Sequence, residues 1–112
     1  MNEEFGAVSI EGADMQPTTI ELSARPGTMT GGIGVHELNI KNPYMGFSDF
    51  RASFTADTQP GWSVDPQEGA LSKEATMFQI KFRPEGPGVF EGYLVLETED
   101  FKKAWKVVGS TN

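Results

Sequence analysis

The residue types able to do chemistry are few and far apart in this sequence. His36 is the one histidine, and in "HELNIK" it shares a strand face with Leu38 and Ile40, which reads as a partly buried structural position. A zinc site draws about four ligands from His, Cys and carboxylates, and the chain has no Cys at all. A Ser–His–acid relay would rest wholly on His36. Ser48 in "GFSDF" has the most elbow-like setting of the serines, yet it lacks the second glycine of the G-x-S-x-G turn. "TGGIG", Thr30 to Gly34, has neither a third glycine at the required spacing nor a following Lys-Ser/Thr, so it reads as a loop. These residues lead to an expectation of no enzyme activity, no catalytic residues, no resident metal and no cofactor.

Charge narrows the partners. The chain carries 9 Lys plus Arg against 16 Asp plus Glu, a formal net charge of −7. Nucleic acids and anionic membranes are held through basic patches, and here Arg51, Lys81 and Arg83 are scattered, with one small cluster at Lys102, Lys103 and Lys106. Lys103 is separated from Trp105 by one residue, but alternation turns Trp105 inward and removes it as a base-stacking platform. No nucleic-acid partner is expected. The acidic groups "NEE", "DPQE" and "ETED" lack the D-x-D-x-D-G…E order of an EF-hand loop and read as solvated turns. A calcium site assembled from separate loops of a β-sandwich stays open as an alternative.

The elements that must position these side chains follow a period of two. "TTIELSA" sets Ile20, Leu22 and Ala24 on one face, "HELNIK" Leu38 and Ile40, and "FRASFTA" Phe50, Ala52, Phe54 and Ala56. "TMFQIKFR" alternates Phe78, Ile80 and Phe82 with Met77, Gln79, Lys81 and Arg83. "VFEGYLVLET" and "KAWKVV" give Phe90, Leu94, Leu96, Trp105 and Val107. Such alternation marks strands with one buried face. The separators are rich in the turn formers Gly, Pro, Asn and Asp. Helix is expected for one turn at most, around Ser72 to Glu74 and Asp100 to Lys103.

About seven short strands between turns predict an all-β, immunoglobulin-like antiparallel β-sandwich. At 112 residues, with 13 Gly, 7 Pro and 12 aromatic side chains (8 Phe, 2 Tyr, 2 Trp), the expectation is one domain over 1–112 with an ordered core of about 7–110. No apolar run approaches the roughly 20 residues that span a bilayer, so no membrane insertion is expected. "MNEEFGAV" is acidic where a signal peptide has a basic start. Absence of Cys fits a reducing compartment.

The stretch "WSVDPQEGALSKEATMFQIKFRPEGPGVFEGYLVLET" resembles the signature of the major sperm protein superfamily and its ASPM–SPD-2–Hydin (ASH) relatives. The matching positions are Val64, Pro66, Gly69 and Leu71, then Phe82, Pro84, Gly88, Leu94 and Leu96, and finally Val107 to Gly109. Upstream, Leu38, Ile40 and Asn42 of "LNIKNPY" match a strand ending in Asn. The likeness runs over residues 15 to 110. Physically, Trp62 and Val64 point inward, Pro66 ends a strand because it has no N–H to donate, Gly69 permits a turn, and Leu71 plugs the sandwich end.

The resemblance implies interaction rather than catalysis: a binding or scaffold module docking onto a larger protein assembly through a sheet face or strand edge. It implies an intracellular setting, cytoplasmic or cytoskeletal and ciliary, with an organelle lumen fitting a chain whose targeting peptide has been removed. The alternative is an accessory subunit stabilising an organellar or periplasmic complex. One branch, the membrane-tethering VAP proteins, binds acidic peptides through lysines on the strand before Val-x-Pro. The outward positions there are Ser53 and Thr55, followed by Asp57, so acidic-peptide binding is not expected. The expected contact residues are the outward ones of neighbouring strands, Arg51, Ser53, Thr55, Lys81, Arg83 and Tyr93. Tyr44 and Phe47 join them from "NPYMGF", either capping the core or offering an exposed apolar contact.

Overall fold

The computed structural model describes residues 10–24, 33–43 and 46–111. Among them are nine strands and no helix: β1 (Asp14–Met15), β2 (Ile20–Ser23), β3 (Gly34–Ile40), β4 (Ser48–Phe54), β5 (Trp62–Asp65), β6 (Glu68–Leu71), β7 (Thr76–Phe82), β8 (Val89–Thr98) and β9 (Lys102–Ser110). They form an immunoglobulin-like sandwich. One sheet runs β1-β9-β8-β4-β6 with β2 also paired to β9, and the other runs β3-β7-β5. Alternation placed the long strands to within a few residues. The two-residue β1 and the turn-like β6 have too little periodic pattern to be seen in sequence.

Most pairings are antiparallel, but β1 and β2 run parallel to β9 along one edge, with Asp14 beside Lys103 and Ile20 beside Val107. A parallel pair needs a long connection, and here most of the chain lies between the partners. The two anticipated helical turns are absent for a local reason. Thr98 Oγ1 accepts the Asp100 and Phe101 N–H groups at 3.0 Å each, closing a tight β8–β9 turn from which Lys102 enters β9 directly. Ser72 Oγ likewise accepts the Glu74 N–H at 3.2 Å. Hydroxyls competing for backbone donors favour turns over helix.

The core lies between the sheets, built from the inward residues of each strand: Ile20, Phe50, Ala52, Val64, Leu71, Phe78, Ile80, Leu94, Leu96, Trp105 and Val107. Phe50 and Phe78 meet edge to face at 5.1 Å across the sheets, and Phe82 stacks near Trp62 at 4.7 Å and Phe90 at 5.6 Å towards the other end. The consecutive Leu94, Val95 and Leu96 are all buried. Val95 faces away from the main core and packs with Ala104 beneath Ala13, so a central strand is covered on both sides there.

The "VDPQEGAL" signature is where the chain changes sheet. β5 ends at Asp65 in the three-stranded sheet, and past Pro66 the chain joins the six-stranded sheet as β6, with Gln67 C=O accepting the Ala52 N–H at 2.8 Å. Leu71 is fully buried, as the plug reading requires. Gly69 differs from expectation: it lies within β6, opposite Phe50, rather than in a turn. Its φ of +159° is one that residues with a side chain rarely adopt, and a β-carbon there would meet Phe50 Cε2 at 2.9 Å. The position calls for glycine to leave room for an aromatic ring.

Candidate protein-docking surface

The two-sheet arrangement divides the anticipated contact residues among three surfaces. Arg51 and Ser53 of β4 and Tyr93 of β8 share the outer face of the six-stranded sheet, Arg51 opposite Glu97 and Ser53 opposite Val95. Lys81 lies on the outer face of the three-stranded sheet and Arg83 just beyond β7. The β4 and β7 strands are therefore not neighbours, and Arg51 and Lys81 face opposite sides of the sandwich. Phe47 projects from the β3–β4 connection, 80% exposed. Tyr44 lies outside the described residues.

Thr55 corrects the expectation of an outward side chain. It is buried, its hydroxyl 2.6 Å from Asp57 Oδ1 and 2.9 Å from Thr58 Oγ1. The cause is the corner after β4. Thr55 N–H bonds the Tyr93 carbonyl, Tyr93 N–H bonds Thr58 Oγ1, and Gln59 N–H bonds the Glu91 carbonyl. The chain past β4 thus closes over the backbone edge of β8, and Thr55 is folded into that closure. Sequence alternation continued the strand two residues too far.

On the outer face of the six-stranded sheet, register aligns Lys102, Glu97, Arg51 and Glu68 in one row across β9, β8, β4 and β6. The signs alternate along the row. Cross-strand neighbours of opposite charge each contribute about 0.2–1 kcal/mol, and the Lys102 ammonium also donates to the Glu11 carbonyl at 2.8 Å. Lys106 adds a surface pair, 3.7 Å from Glu91, beside a shallow cleft of about 320 Å³ lined by Asp57, Gln59, Glu91, Gly92, Tyr93 and Lys106. This alternation of signs was invisible in sequence, because the members of the row come from four separate strands.

The three-stranded sheet presents a different outer face. Its rows read Val35–Lys81–Ser63, then Glu37–Gln79–Asp65, then Asn39–Met77. Val35, Met77 and, just before β3, Ile33 are 49%, 48% and 46% exposed, which is unusual for large apolar side chains on one sheet face. Basic Lys81 and Arg83 gather at the Val35 end. His36, Leu38 and Ile40 point to the core side yet stay only half-buried, because β3 forms the rim of the sandwich. β3 is seven residues long, and among the described residues its sheet partner is β7 alone. It is the longest edge strand of those residues. The feature was not singled out in sequence; the signal was a seven-residue strand bearing both exposed valine and half-buried inward residues.

At the end of the sandwich, Asn42, Pro43, Gly46, Phe47, Ser72, Lys73 and Glu74 border a largely apolar hollow of about 560 Å³. Asn42 is buried and ties the loop down, its N–H on the Ser72 carbonyl at 2.7 Å and its Nδ2 on the Gly46 carbonyl at 3.3 Å. This asparagine, matched in the sequence signature, is a loop anchor. Among the described residues no group of three or more His, Asp or Glu side chains is placed to hold a metal ion, and no helix is long and apolar enough to cross a membrane.

No protein-family model matches the sequence, and no curated protein matches it either. Solved structures do. The ASH/PapD-like domain 7 of human CEP192 superposes with a TM-score of 0.67 at 12% identity, over 85% of this chain and 82% of that one. SSP-19, an MSP-domain-like protein of Caenorhabditis elegans, gives 0.51 at 9% identity, over 82% and 94%. WR4, an MSP family member of C. elegans, gives 0.49 at 13%, over 86% and 94%. At such identities the likeness is one of fold, and that fold is the MSP and ASH type of sandwich indicated by the "VDPQEGAL" signature.

Proposed function

We propose that this domain is a non-enzymatic protein-interaction or scaffold module, docking onto a larger assembly through the edge of β3 and the adjoining outer face of the three-stranded sheet. The single observation that carries the reading is the edge position of β3, which among the described residues pairs with β7 alone, beside exposed Ile33 and Val35. An edge strand presents a row of backbone donors and acceptors to an incoming strand, and the flanking side chains supply selectivity. The opposite sheet is a poorer candidate, since its charges alternate in sign along the register and the adjoining β8 edge is closed by residues 55–59. The likeness of fold to MSP and ASH domains supports a module rather than an enzyme. On this reading it works inside the cell, in the cytoplasm or on cytoskeletal or ciliary structures.

The test is capture of partners from native cells by the parent domain, by Val35→Glu, and by Glu91→Lys on the opposite face. The expected result is a defined, stoichiometric partner that Val35→Glu loses and Glu91→Lys keeps. Loss on Glu91→Lys alone would move the docking surface to the six-stranded sheet. Turnover of a small molecule by the isolated domain, with no partner, would overturn the module reading.

A further inference from the structure

Among the described residues, the free stretch of the β3 edge is bounded. At Gly34 a β-carbon would lie 2.9 Å from the Ser23 carbonyl oxygen and 3.1 Å from Leu22 Cβ, so β2 lies against the first residues of β3. The remaining edge runs from His36 to Lys41. Along it Glu37, Asn39 and Lys41 are exposed, while Leu38 and Ile40 point to the core side and are half-buried.

This short pattern is complementary to itself in one register. Two identical strands paired antiparallel about a two-fold axis keep inner and outer faces matched only when the axis passes through a residue. An axis at Glu37 would oppose two carboxylates. One at His36 sets Glu37 against Val35, and one at Leu38 sets Lys41 against Val35. With the axis at Asn39, Glu37 faces Lys41 of the other copy twice, and Leu38 faces Ile40 twice. That register satisfies both charges, covers the half-exposed sides of Leu38 and Ile40, and stays within the stretch that β2 leaves open. Opposite charges across strands stabilise a pairing, and like charges oppose it.

We infer that a second copy of this chain occupies the β3 edge, the two β3 strands pairing antiparallel across a two-fold axis at Asn39. The two three-stranded sheets then continue into one of six strands. The inference rests on the module reading and names the partner at this edge.

The test uses the whole domain and light scattering. The parent is expected at twice the chain mass. Glu37→Lys carries two lysines at the seam and Lys41→Glu two carboxylates, so each alone self-associates about tenfold or more weakly. An equimolar mixture of the two regains the dimer, as does the double reversal E37K/K41E. Because the chain has no Cys, Asn39→Cys introduces a single thiol on the axis, and oxidation is expected to link copies much faster than the exposed control Glu85→Cys. A monomeric parent with Asn39→Cys no faster than the control overturns self-pairing, while a partner lost on Val35→Glu would still uphold the module reading. A dimer that survives both single reversals also overturns it, since the copies then meet elsewhere.

Discussion

Gly69 of β6 sits directly opposite Phe50 of β4, and the Phe50 ring fills the space where any other residue would place its β-carbon, 2.9 Å from Cε2. The ring in turn meets Phe78 of the other sheet at 5.1 Å. A side chain at Gly69 must therefore push Phe50 into a close-packed core. Gly69→Ala is expected to destabilise by about 1–3 kcal/mol, the usual cost of overpacking. Gly86→Ala, where a β-carbon meets nothing within 4 Å, should stay within about 0.5 kcal/mol. Urea unfolding of both variants makes the comparison.

Leu71 is fully buried at the end of the segment that carries the chain from one sheet to the other. Truncation there leaves a cavity under both sheets. Leu71→Ala should cost about 2–5 kcal/mol, read as a lower urea midpoint at unchanged slope. A loss below about 1 kcal/mol would mean that the sandwich end collapses around the gap.

The row Lys102, Glu97, Arg51 and Glu68 makes a coupling claim. A double-mutant cycle on Arg51→Ala and Glu97→Ala is expected to give about 0.2–1 kcal/mol of favourable coupling, shrinking in 1 M salt (about 1 M, where screening reaches roughly 3 Å). Arg51→Glu would set three carboxylates in sequence across the sheet and should destabilise by more than Arg51→Ala. Zero coupling at low salt would reduce the row to coincidence of register.

Thr55 and Ser53, both anticipated as surface contacts, should behave differently. Thr55→Val removes a buried hydroxyl from Asp57 and Thr58 and is expected to cost about 1–3 kcal/mol. It should also speed exchange of the Tyr93 amide, which bonds Thr58 Oγ1. Ser53→Ala, at a half-exposed position, should change stability by no more than about 0.5 kcal/mol. Equal effects would place Thr55 outside the corner network.

Much of the fold was legible because its signals are local. In "TMFQIKFR" the alternation of Phe78, Ile80 and Phe82 with polar residues follows from the pleat of a single strand, and these three side chains are buried as read. Pro66 marked the end of β5 because its ring cannot join a ladder. Thr55 was misread because nothing in "FTADT" marks where a regular strand gives way to a corner. Gly69 was misread because glycine allows a turn and a close approach equally well, and only the partner strand decides between them.

The candidate site was far less legible. Arg51 and Lys81 carry the same charge on similar alternating strands, so the sequence by itself placed both outward and was right about each strand's faces. It did not say that β4 and β7 belong to different sheets, which puts the two cations on opposite surfaces. Nor did it say that β3 would lie at an edge, or that Glu37 and Lys41 would flank the part of that edge that β2 leaves open. The physical reason is one of range. Facing inward or outward is set by the backbone period of consecutive residues, whereas sheet membership, register and edge position depend on packing between residues tens of positions apart. The alternation and turn residues of this chain thus determined an all-β sandwich and its inward side chains; tertiary pairing alone decided which outward side chains share a surface.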